Sequence, residues 1–266
     1  MKPIDHSTQT ILVTGASSGI GAAFARELAR RGADLVLVAR RLDRLETLAA
    51  ELEKAHGIRA TAIGLDLAQP AAGRALKQQT DALGLSITGV INNAGFGTDG
   101  PFHAEDPDQI AQEIAVDITT LVDISRAYIE PLRQASTGIL VNLASVAAHQ
   151  PISGMAVYSA SKAFVLNFTE ALWHESRTTG LRVLALSPGL TRTEFFNDLA
   201  SGQYTGNYQT PEQVVETALT ALDRGGRPSV VSGRINSLMT VAPRFFSRKR
   251  TVLVAASFGA SSSSAA

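Results

Sequence analysis

Near its N-terminus the chain reads Ile11-Leu12-Val13-Thr14-Gly15-Ala16-Ser17-Ser18-Gly19-Ile20-Gly21, a short apolar run that ends in a glycine-rich turn. A helical pattern of apolar residues begins directly after this turn. The stretch therefore predicts a strand, a tight turn and the N-terminus of a helix, where backbone N–H groups and the helix dipole favour a pyrophosphate. The spacing Gly-x-x-x-Gly-x-Gly is a variant of the dinucleotide-binding fingerprint, although glycines also serve ordinary tight turns.

Strand-like and helical patterns alternate along the rest of the chain. Seven apolar runs are predicted as strands: Thr10–Val13, Asp34–Ala39, Arg59–Leu65, Gly89–Asn92, Gly138–Leu143, Leu181–Leu186 and Pro228–Val231. They are apolar throughout, as expected for strands covered on both faces. The alternation predicts an α/β fold with a doubly wound, parallel, seven-stranded sheet and helices on both faces. We expect one domain at 1–250 and a disordered tail at 251–266, which ends in small polar residues.

Composition narrows the classes of partner. The chain has 266 residues, of which 45% are hydrophobic, with 24 Lys+Arg and 24 Asp+Glu. This neutral balance gives no reason to expect nucleic acid or an anionic membrane as the main partner. The absence of cysteine excludes disulfides and cysteine metal sites, and the five histidines have no ligand spacing, so no metal is expected. No signal-peptide or membrane-span pattern is visible, so the cytoplasm is the expected location.

A basic and aromatic segment lies close to the C-terminus. Residues 244–250 read Arg-Phe-Phe-Ser-Arg-Lys-Arg. Such a mixture could contact a membrane surface. We favour the plainer interpretation, a C-terminal helix near the mouth of the substrate site.

Ser145, Tyr158 and Lys162 form a second informative group. Tyr158 and Lys162 are four residues apart, so on a helix they share one face. A fixed ammonium favours the phenolate and lowers the pKa of a tyrosine, and a serine hydroxyl can hold a substrate oxygen beside the phenol. The three residues predict a general acid/base site for interconverting an alcohol and a ketone. Taken alone, a tyrosine and a lysine at this spacing more often share a solvated helix face.

Together these residues resemble the short-chain dehydrogenase/reductase family. Further motifs follow in the order that the family has: Asp66-Leu67, Asn92-Asn93-Ala94-Gly95, and Ser187-Pro188-Gly189-Leu-Thr-Arg-Thr193. The resemblance covers about residues 8–232. It implies a Rossmann-type fold and an oxidoreductase that transfers a hydride between a nicotinamide cofactor and a carbonyl or secondary alcohol. The substrate is not readable, but an apolar pocket is expected at Phe96, after Ser145 and along the mobile-lid segment Leu190–Tyr208.

The resemblance also implies roles for individual residues. Tyr158 would be the acid/base, Ser145 would orient the substrate oxygen, and Lys162 would lower the pKa of Tyr158 and bind the nicotinamide ribose. Cofactor contacts are expected from Gly15, Ser17, Ser18, Gly19, Ile20, Gly21, Asp66, Leu67, Asn92, Ala94, Gly95, Tyr158, Lys162, Pro188, Gly189 and Thr193. A protein that binds the cofactor as a sensor or scaffold, without turnover, is the alternative.

The end of the second predicted strand bears on the choice of cofactor. An NAD enzyme usually places an acid here, whereas an NADP enzyme accommodates a phosphate with arginine. Ala39 stands at the acid's position and Arg40 and Arg41 follow. The sequence therefore predicts NADP(H), with Arg40 as the phosphate ligand. Arg41 and Arg44 are more readily explained as residues that only decorate the next helix.

One position departs from the family pattern. Asp117 stands where the family often has an asparagine that helps to relay protons through the lysine. An ionised aspartate can accept hydrogen bonds but cannot donate them. If it is buried near Lys162, it would either pair with that lysine or take up a proton.

Two long helical stretches, at about 106–134 and 156–179, carry apolar residues on more than one face. Surplus apolar surface indicates deep burial or a subunit interface. In the resembling family these helices commonly pair across a dimer axis, so a homodimer or homotetramer is expected.

Overall fold

Seven strands form one parallel sheet in this computed structural model, which describes residues 3–195, 199 and 206–260. The strands are β1 Thr10–Thr14, β2 Asp34–Ala39, β3 Ala60–Gly64, β4 Gly89–Asn92, β5 Ile139–Leu143, β6 Arg182–Ser187 and β7 Ser229–Val231. Each predicted strand is present within two residues of its expected bounds. The α/β fold with a seven-stranded, doubly wound sheet is confirmed.

Nine α-helices occur within the described residues, most of them between strands. They are α1 Gly19–Arg30, α2 Leu42–His56, α3 Ala72–Ala82, α4 Pro107–Ile114, α5 Leu121–Gln134, α6 Ala156–Glu175, α7 Pro211–Arg224, α8 Arg234–Val241 and α9 Arg248–Ala260. Helices α1, α2 and α7 share one hydrophobic core on one face of the sheet, and α3, α5 and α6 cover the other. None of these helices is long and apolar enough to cross a membrane.

Burial on both faces explains the unbroken apolar runs. Along β2, Leu35 and Leu37 pack into the core with α1 and α2, whereas Val36 and Val38 pack into the opposite core. All four side chains are at most 1% exposed. Successive strand residues point to opposite faces, so a strand covered on both sides needs apolar residues at every position.

The strand order determines where a ligand can bind. It runs β3-β2-β1-β4-β5-β6-β7, so the chain winds outward in opposite directions from β1 and β4. The loops at the carboxyl ends of β1 and β4 consequently diverge and leave a crevice between them. The glycine turn follows β1, and the Asn92–Gly95 motif begins at the end of β4.

The predicted helix over 106–134 is interrupted in the structure. A π-helical segment, Ala115–Thr120, separates α4 from α5. Two side chains of this segment bond to neighbouring loops: Asp117 Oδ1 accepts from the backbone N–H of Phe96 at 3.1 Å, and Thr120 Oγ1 donates to the carbonyl of Leu67 at 2.6 Å. Local π-helical turns are often found at functional sites, and this one carries Asp117.

The C-terminal region also differs from its prediction. Residues 251–260, which were expected to belong to a disordered tail, form most of α9. Their sequence, Thr-Val-Leu-Val-Ala-Ala-Ser-Phe-Gly-Ala, contains enough apolar residues to continue a helix, and Ala255 is buried. Residues 261–266 lie outside the described residues.

Candidate active site

The glycine turn after β1 has a backbone that glycine adopts with least strain. Gly15 and Gly19 have φ angles of +65° and +54°, in the left-handed region. At Gly21 a Cβ atom would collide with the carbonyl oxygen of Gly15 and the side chain of Asn93. The turn therefore lets the N-terminus of α1 reach a large cavity with little side chain in between.

Asn93 ties the glycine turn to the end of β4. Its Nδ2 donates to the backbone oxygens of Thr14 at 2.8 Å and Gly15 at 3.3 Å. Thr14 Oγ1 in turn accepts from the backbone N–H groups of Asn93 and Ala94, both at 3.0 Å. These bonds fix the crevice at the point where the strand order reverses. Asn93 belongs to the motif quoted from the sequence, but no role was predicted for it.

Asn92, a predicted cofactor contact, does not line the cavity. Its side chain is buried and donates to Ser125 Oγ at 3.1 Å and to Asn142 Oδ1 at 2.9 Å. The residue therefore joins β4 to β5 and α5, a role within the sheet.

Arg41 lies directly against the glycine turn. Its guanidinium donates to Ser17 Oγ and Ser18 Oγ, each at 3.0 Å, and pairs with Glu194 at 2.8 Å. Arg44 reaches the same carboxylate at 2.8 Å. Arg40 lines the cavity as predicted, but Arg41, which the sequence analysis set aside, lines it too. Their positions in the sequence do not show which of the two adjacent arginines contacts the serines of the turn; only the side-chain geometry does.

The predicted acid/base residues converge on the cavity from two elements. Ser145 follows β5, and Tyr158 and Lys162 share a face of α6. Lys162 Nζ lies 5.6 Å from the centroid of the Tyr158 ring and donates to the carbonyl of Leu143 at 3.4 Å. The Tyr158 ring packs against Phe195, with ring centroids 5.4 Å apart.

Asp117 is paired with Lys162, which is one of the two arrangements expected from the sequence. Asp117 Oδ2 lies 2.8 Å from Lys162 Nζ, and the two side chains are 0% and 6% exposed. Gly95 makes room for this pair, since a Cβ there would lie 2.8 Å from Asp117 Oδ1 and 3.0 Å from Lys162 Nζ. Asp117 does not line the cavity; it reaches the site through the lysine.

The electrostatics of the site correct one expectation. Burial raises the pKa of Tyr158 above its usual value, and the Lys162 ammonium and the Ser145 hydroxyl only partly oppose this rise. Burial acts to lower the pKa of Lys162, but the charges of Asp117 and Tyr158 raise it overall. Burial likewise raises the pKa of Asp117 against the attraction of Lys162. At neutral pH the site therefore holds a protonated phenol beside an ammonium. Lys162 lowers the pKa of Tyr158 as expected from the sequence, but burial, which the sequence did not reveal, outweighs it.

One cavity of about 1160 Å³ contains most of the predicted site residues. The predicted residues that line it are Gly15, Ser17, Ser18, Gly19, Ile20, Arg40, Asp66, Leu67, Ala94, Gly95, Ser145, Tyr158, Lys162, Pro188, Gly189 and Thr193. Gly21, Asn92 and Asp117 stand behind this lining. The volume exceeds that of an ordinary small-molecule pocket, roughly 300–1,000 Å³, and is large enough for two ligands side by side.

The end of the cavity beyond Tyr158 is mostly apolar. Phe96, Leu190 and Phe195 line it as predicted, together with Ile152 and Met155 after Ser145. Of the other predicted lid residues, Phe196 and Tyr204 lie outside the described residues. Helix α8, which was not predicted as part of the site, contributes Arg234, Ile235, Asn236, Met239 and Thr240. Within the described part of the chain, no group of three or more His, Asp or Glu side chains could hold a metal ion.

Comparisons with known proteins agree with this geometry. The family model described as short chain dehydrogenase matches residues 9–203. Sulfoacetaldehyde reductase 2 of Chromohalobacter salexigens is 37% identical over 188 residues, which are 70% of this chain and 73% of that protein. A short-chain dehydrogenase from Sphingobium yanoikuyae, solved in complex with NADPH, is 36% identical with a TM-score of 0.78 and covers 89% of this chain and 90% of its own.

A third similar protein is the bulky-bulky ketone specific alcohol dehydrogenase from Comamonas testosteroni. It is 30% identical with a TM-score of 0.76, over 90% of this chain and 93% of its own. The family model alone covers well over half of the chain, and the matched region contains both the glycine turn and the Ser145, Tyr158 and Lys162 group. The chain therefore belongs to the short-chain dehydrogenase/reductase family of oxidoreductases.

Proposed function

We propose that this protein is an NADP(H)-dependent carbonyl reductase or alcohol dehydrogenase acting on a fairly apolar, bulky ketone or secondary alcohol. The observation that carries the proposal is the convergence of Ser145, Tyr158 and Lys162 on the same cavity as the glycine turn. One end of this cavity fits a dinucleotide and the other fits an apolar substrate, with the acid/base group between them.

The cofactor end fits a phosphorylated dinucleotide. The turn after β1 brings the N-terminus of α1 to the cavity, and the backbone N–H groups of a helix N-terminus favour a pyrophosphate. Gly21 allows this close packing, because a side chain there would collide with the turn itself. Ser17, Ser18 and Arg41 form a polar cluster next to it, and Ala39 occupies the place of the acid that would bind an unphosphorylated ribose. The NADPH complex of the Sphingobium yanoikuyae protein supports the same choice.

Each residue around the substrate oxygen has a separate role in carbonyl reduction. When bound, a nicotinamide cofactor would supply the hydride. Tyr158 gives its phenolic proton to the substrate oxygen. Its raised pKa means that the phenol is protonated before the transfer. Ser145 donates a hydrogen bond to the same oxygen. Lys162 stabilises the phenolate that remains after proton transfer. In the reverse direction, the phenolate removes the alcohol proton.

The apolar lining supports a bulky substrate without charge. Ile152, Met155, Leu190, Phe195 and Met239 surround the space beyond Tyr158. The ketone specificity of the Comamonas testosteroni protein is in keeping with this lining.

The first test is thermal unfolding with NADPH and, separately, NADH at equal concentration. A ligand that binds only the native state raises the midpoint according to its affinity. We expect a rise with NADPH and a smaller one with NADH, followed by NADPH consumption in a panel of ketones of increasing bulk. A larger rise with NADH would overturn the cofactor assignment. A rise with NADPH and no turnover of any carbonyl compound would favour the sensor alternative, which no observation supports at present.

Asp117→Asn tests the lysine's buried partner. The amide keeps the acceptor for the Phe96 N–H but removes the negative charge that raises the pKa of Lys162. We expect unchanged NADPH binding, with a pH profile of reduction that moves to lower pH and a turnover altered on the order of tenfold. The exposed Asp108→Asn on α4 is the control. An unaltered rate and pH profile would remove Asp117 from the proton chemistry.

Glu194→Gln tests the carboxylate that pairs with the arginines beside the glycine turn. Glu194 pairs with both Arg41 and Arg44, and its pKa is lowered by the hydrogen bonds from Arg44 and Arg41. A 2′-phosphate must compete with this carboxylate for the guanidinium groups. Because the pair is about half exposed, releasing it should tighten NADPH binding by only about two- to fivefold and leave NADH unchanged. Equal effects on both cofactors, measured by titration calorimetry, would contradict this assignment.

A homodimer or homotetramer remains part of the proposal. Ile114 and Phe164, on α4 and α6, are 40% and 42% exposed, and Phe164 stacks on Phe168. Exposed apolar side chains on these helices support a subunit interface. Sedimentation should give a dimer or tetramer that Phe164→Glu dissociates, whereas Leu83→Glu, an exposed leucine at the end of α3, should not. A monomeric wild type would disprove this part.

A further inference from the structure

Thr98 lies between two carboxyl groups behind the active site. Its hydroxyl oxygen is 2.5 Å from Glu105 Oε2 and 2.7 Å from Glu113 Oε2. A hydroxyl has one proton to donate, so it can satisfy only one carboxylate. The second short contact requires a proton on one of the two carboxyl groups. The cluster of Glu105, Thr98 and Glu113 therefore holds at least one acidic proton when it adopts this geometry.

Burial indicates which carboxyl group keeps the proton. Glu113 is fully buried at 0% exposure, whereas Glu105 is only half-buried. Burial raises the pKa of Glu113 to about 7, although the Thr98 hydroxyl and N–H lower it. Glu113 is thus protonated below about pH 7 and ionised above it.

The position of Glu113 connects this cluster to the proposed catalytic group. It precedes Asp117 by four residues, at the end of α4, and both side chains are completely buried. Charged groups from three elements surround it: Glu105 from the preceding loop, Asp117 from the π-helical segment and Lys162 from α6. Asp117 raises the pKa of Glu113 and Lys162 lowers it, so the three groups interact.

Two buried oxygens of the cluster have no hydrogen-bond partner among the described residues, Glu113 Oε1 and Glu105 Oε1. Asp117 Oδ2, at the other end of the connection, lies 2.8 Å from the Lys162 ammonium. Buried oxygens of this kind are ordinarily served by internal water, and water at Glu113 Oε1 would carry a proton toward Asp117.

We propose that Glu113, with Thr98 and Glu105, forms a proton route that leads from the half-buried Glu105 to the Asp117–Lys162 pair. The proposal rests on the function proposed above. For each carbonyl reduced, one proton moves inward from Glu105 through the Thr98 hydroxyl to Glu113, and from there to the Asp117–Lys162 pair. It replaces the proton that Tyr158 gives to the substrate oxygen, and the same route runs outward during alcohol oxidation. Glu113 acts only through the pair and does not touch the substrate.

Infrared difference spectra between acid and alkaline pH test the proton site in the free protein. Wild type should show the carbonyl band of a protonated carboxyl group that disappears with a midpoint near 7. Glu113→Gln keeps an oxygen for both Thr98 contacts and should lose the band. Asp108→Asn, the exposed control on the same helix, should keep it. Asp117→Asn should lower the midpoint, because it removes the charge that raises the pKa of Glu113. A band with a midpoint near 7 that persists in Glu113→Gln would overturn the assignment, because the proton would then belong to another buried carboxyl group such as Asp117, whose pKa burial also raises.

The pH profile of ketone reduction tests the connection to catalysis. In wild type, reduction should slow above about pH 7 as Glu113 loses its proton. In Glu113→Gln this limb should vanish and turnover should fall by roughly tenfold, less than for a direct acid or base. Glu105→Gln, at the half-buried end of the cluster, should give a similar loss of turnover. It provides an independent test if Glu113→Gln fails to fold.

The outcomes separate the two proposals. A wild-type profile in Glu113→Gln would mean that the proton is stored but not relayed, which overturns the relay. An equal loss of turnover at every pH, with the decline above pH 7 still present, would assign Glu113 a structural role. If wild type reduces no ketone, the proposed function fails, and so does the relay. The infrared titration still decides whether Glu113 holds the proton.

Discussion

Tyr158→Phe is expected to lower ketone reduction by roughly 10²–10⁴-fold, the contribution of a positioned general acid. Phenylalanine keeps the ring packing against Phe195 and removes only the hydroxyl whose proton is transferred. The NADPH-dependent rise in the unfolding midpoint should therefore remain. Steady-state kinetics and thermal unfolding measure the two effects separately.

Tyr128→Phe is the matched control for this substitution. The Tyr128 hydroxyl is buried at a distance from the cavity and shares a hydrogen bond of 2.8 Å with Thr80 Oγ1. Its removal should cost about 1 kcal/mol of stability and leave turnover intact. If Tyr158→Phe retains most of its turnover, the proton comes from another group and the proposed mechanism is wrong.

Arg41→Ala is expected to weaken NADPH binding by about tenfold and to change NADH binding little. A charge-assisted bond to a phosphate contributes about 1.5–3 kcal/mol, and the lower end applies here because the Arg41 side chain is 42% exposed. Arg40→Ala should give a comparable loss, since both residues line the cavity. Titration calorimetry with each cofactor measures the ratio.

Arg44→Ala distinguishes a specific contact between arginine and phosphate from long-range electrostatic attraction. Arg44 contacts Glu194 but neither serine of the glycine turn, so its removal should have a smaller effect than that of Arg41. Equal losses for all three arginines would indicate long-range attraction instead of a specific cluster. A loss confined to Arg40 would restore the original prediction from the sequence.

Most of the fold could be predicted because its determinants are local. The apolar runs and the glycine turn fix strands, turn and helix start within a few residues of each other, and the parallel sheet follows from their alternation. The interruption at Ala115–Thr120 could not be predicted, since it depends on bonds from Asp117 and Thr120 to loops distant in sequence.

The same division applies to the site. Tyr158 and Lys162 share a helix face whatever surrounds them, and their spacing therefore predicts their proximity. The Lys162 ammonium lowers the pKa of Tyr158 as expected from the sequence, but burial by distant segments raises that pKa by more and could not be predicted. The Arg41 contacts and the Thr98–Glu113 cluster likewise depend on side chains brought together only by folding.

The contact between Gly189 and α8 has a consequence for protein engineering. A Cβ at Gly189 would collide with Asn236, whose Nδ2 also donates to the Ser232 carbonyl at 2.7 Å and to Gln209 Oε1 at 3.3 Å. The loop after β6 and helix α8 are thus in close contact at the Asn236 amide. A chimera that exchanges α8 to obtain a new substrate range must carry Asn236 and Gln209 together, so crossover points belong before Gln209 and after α8.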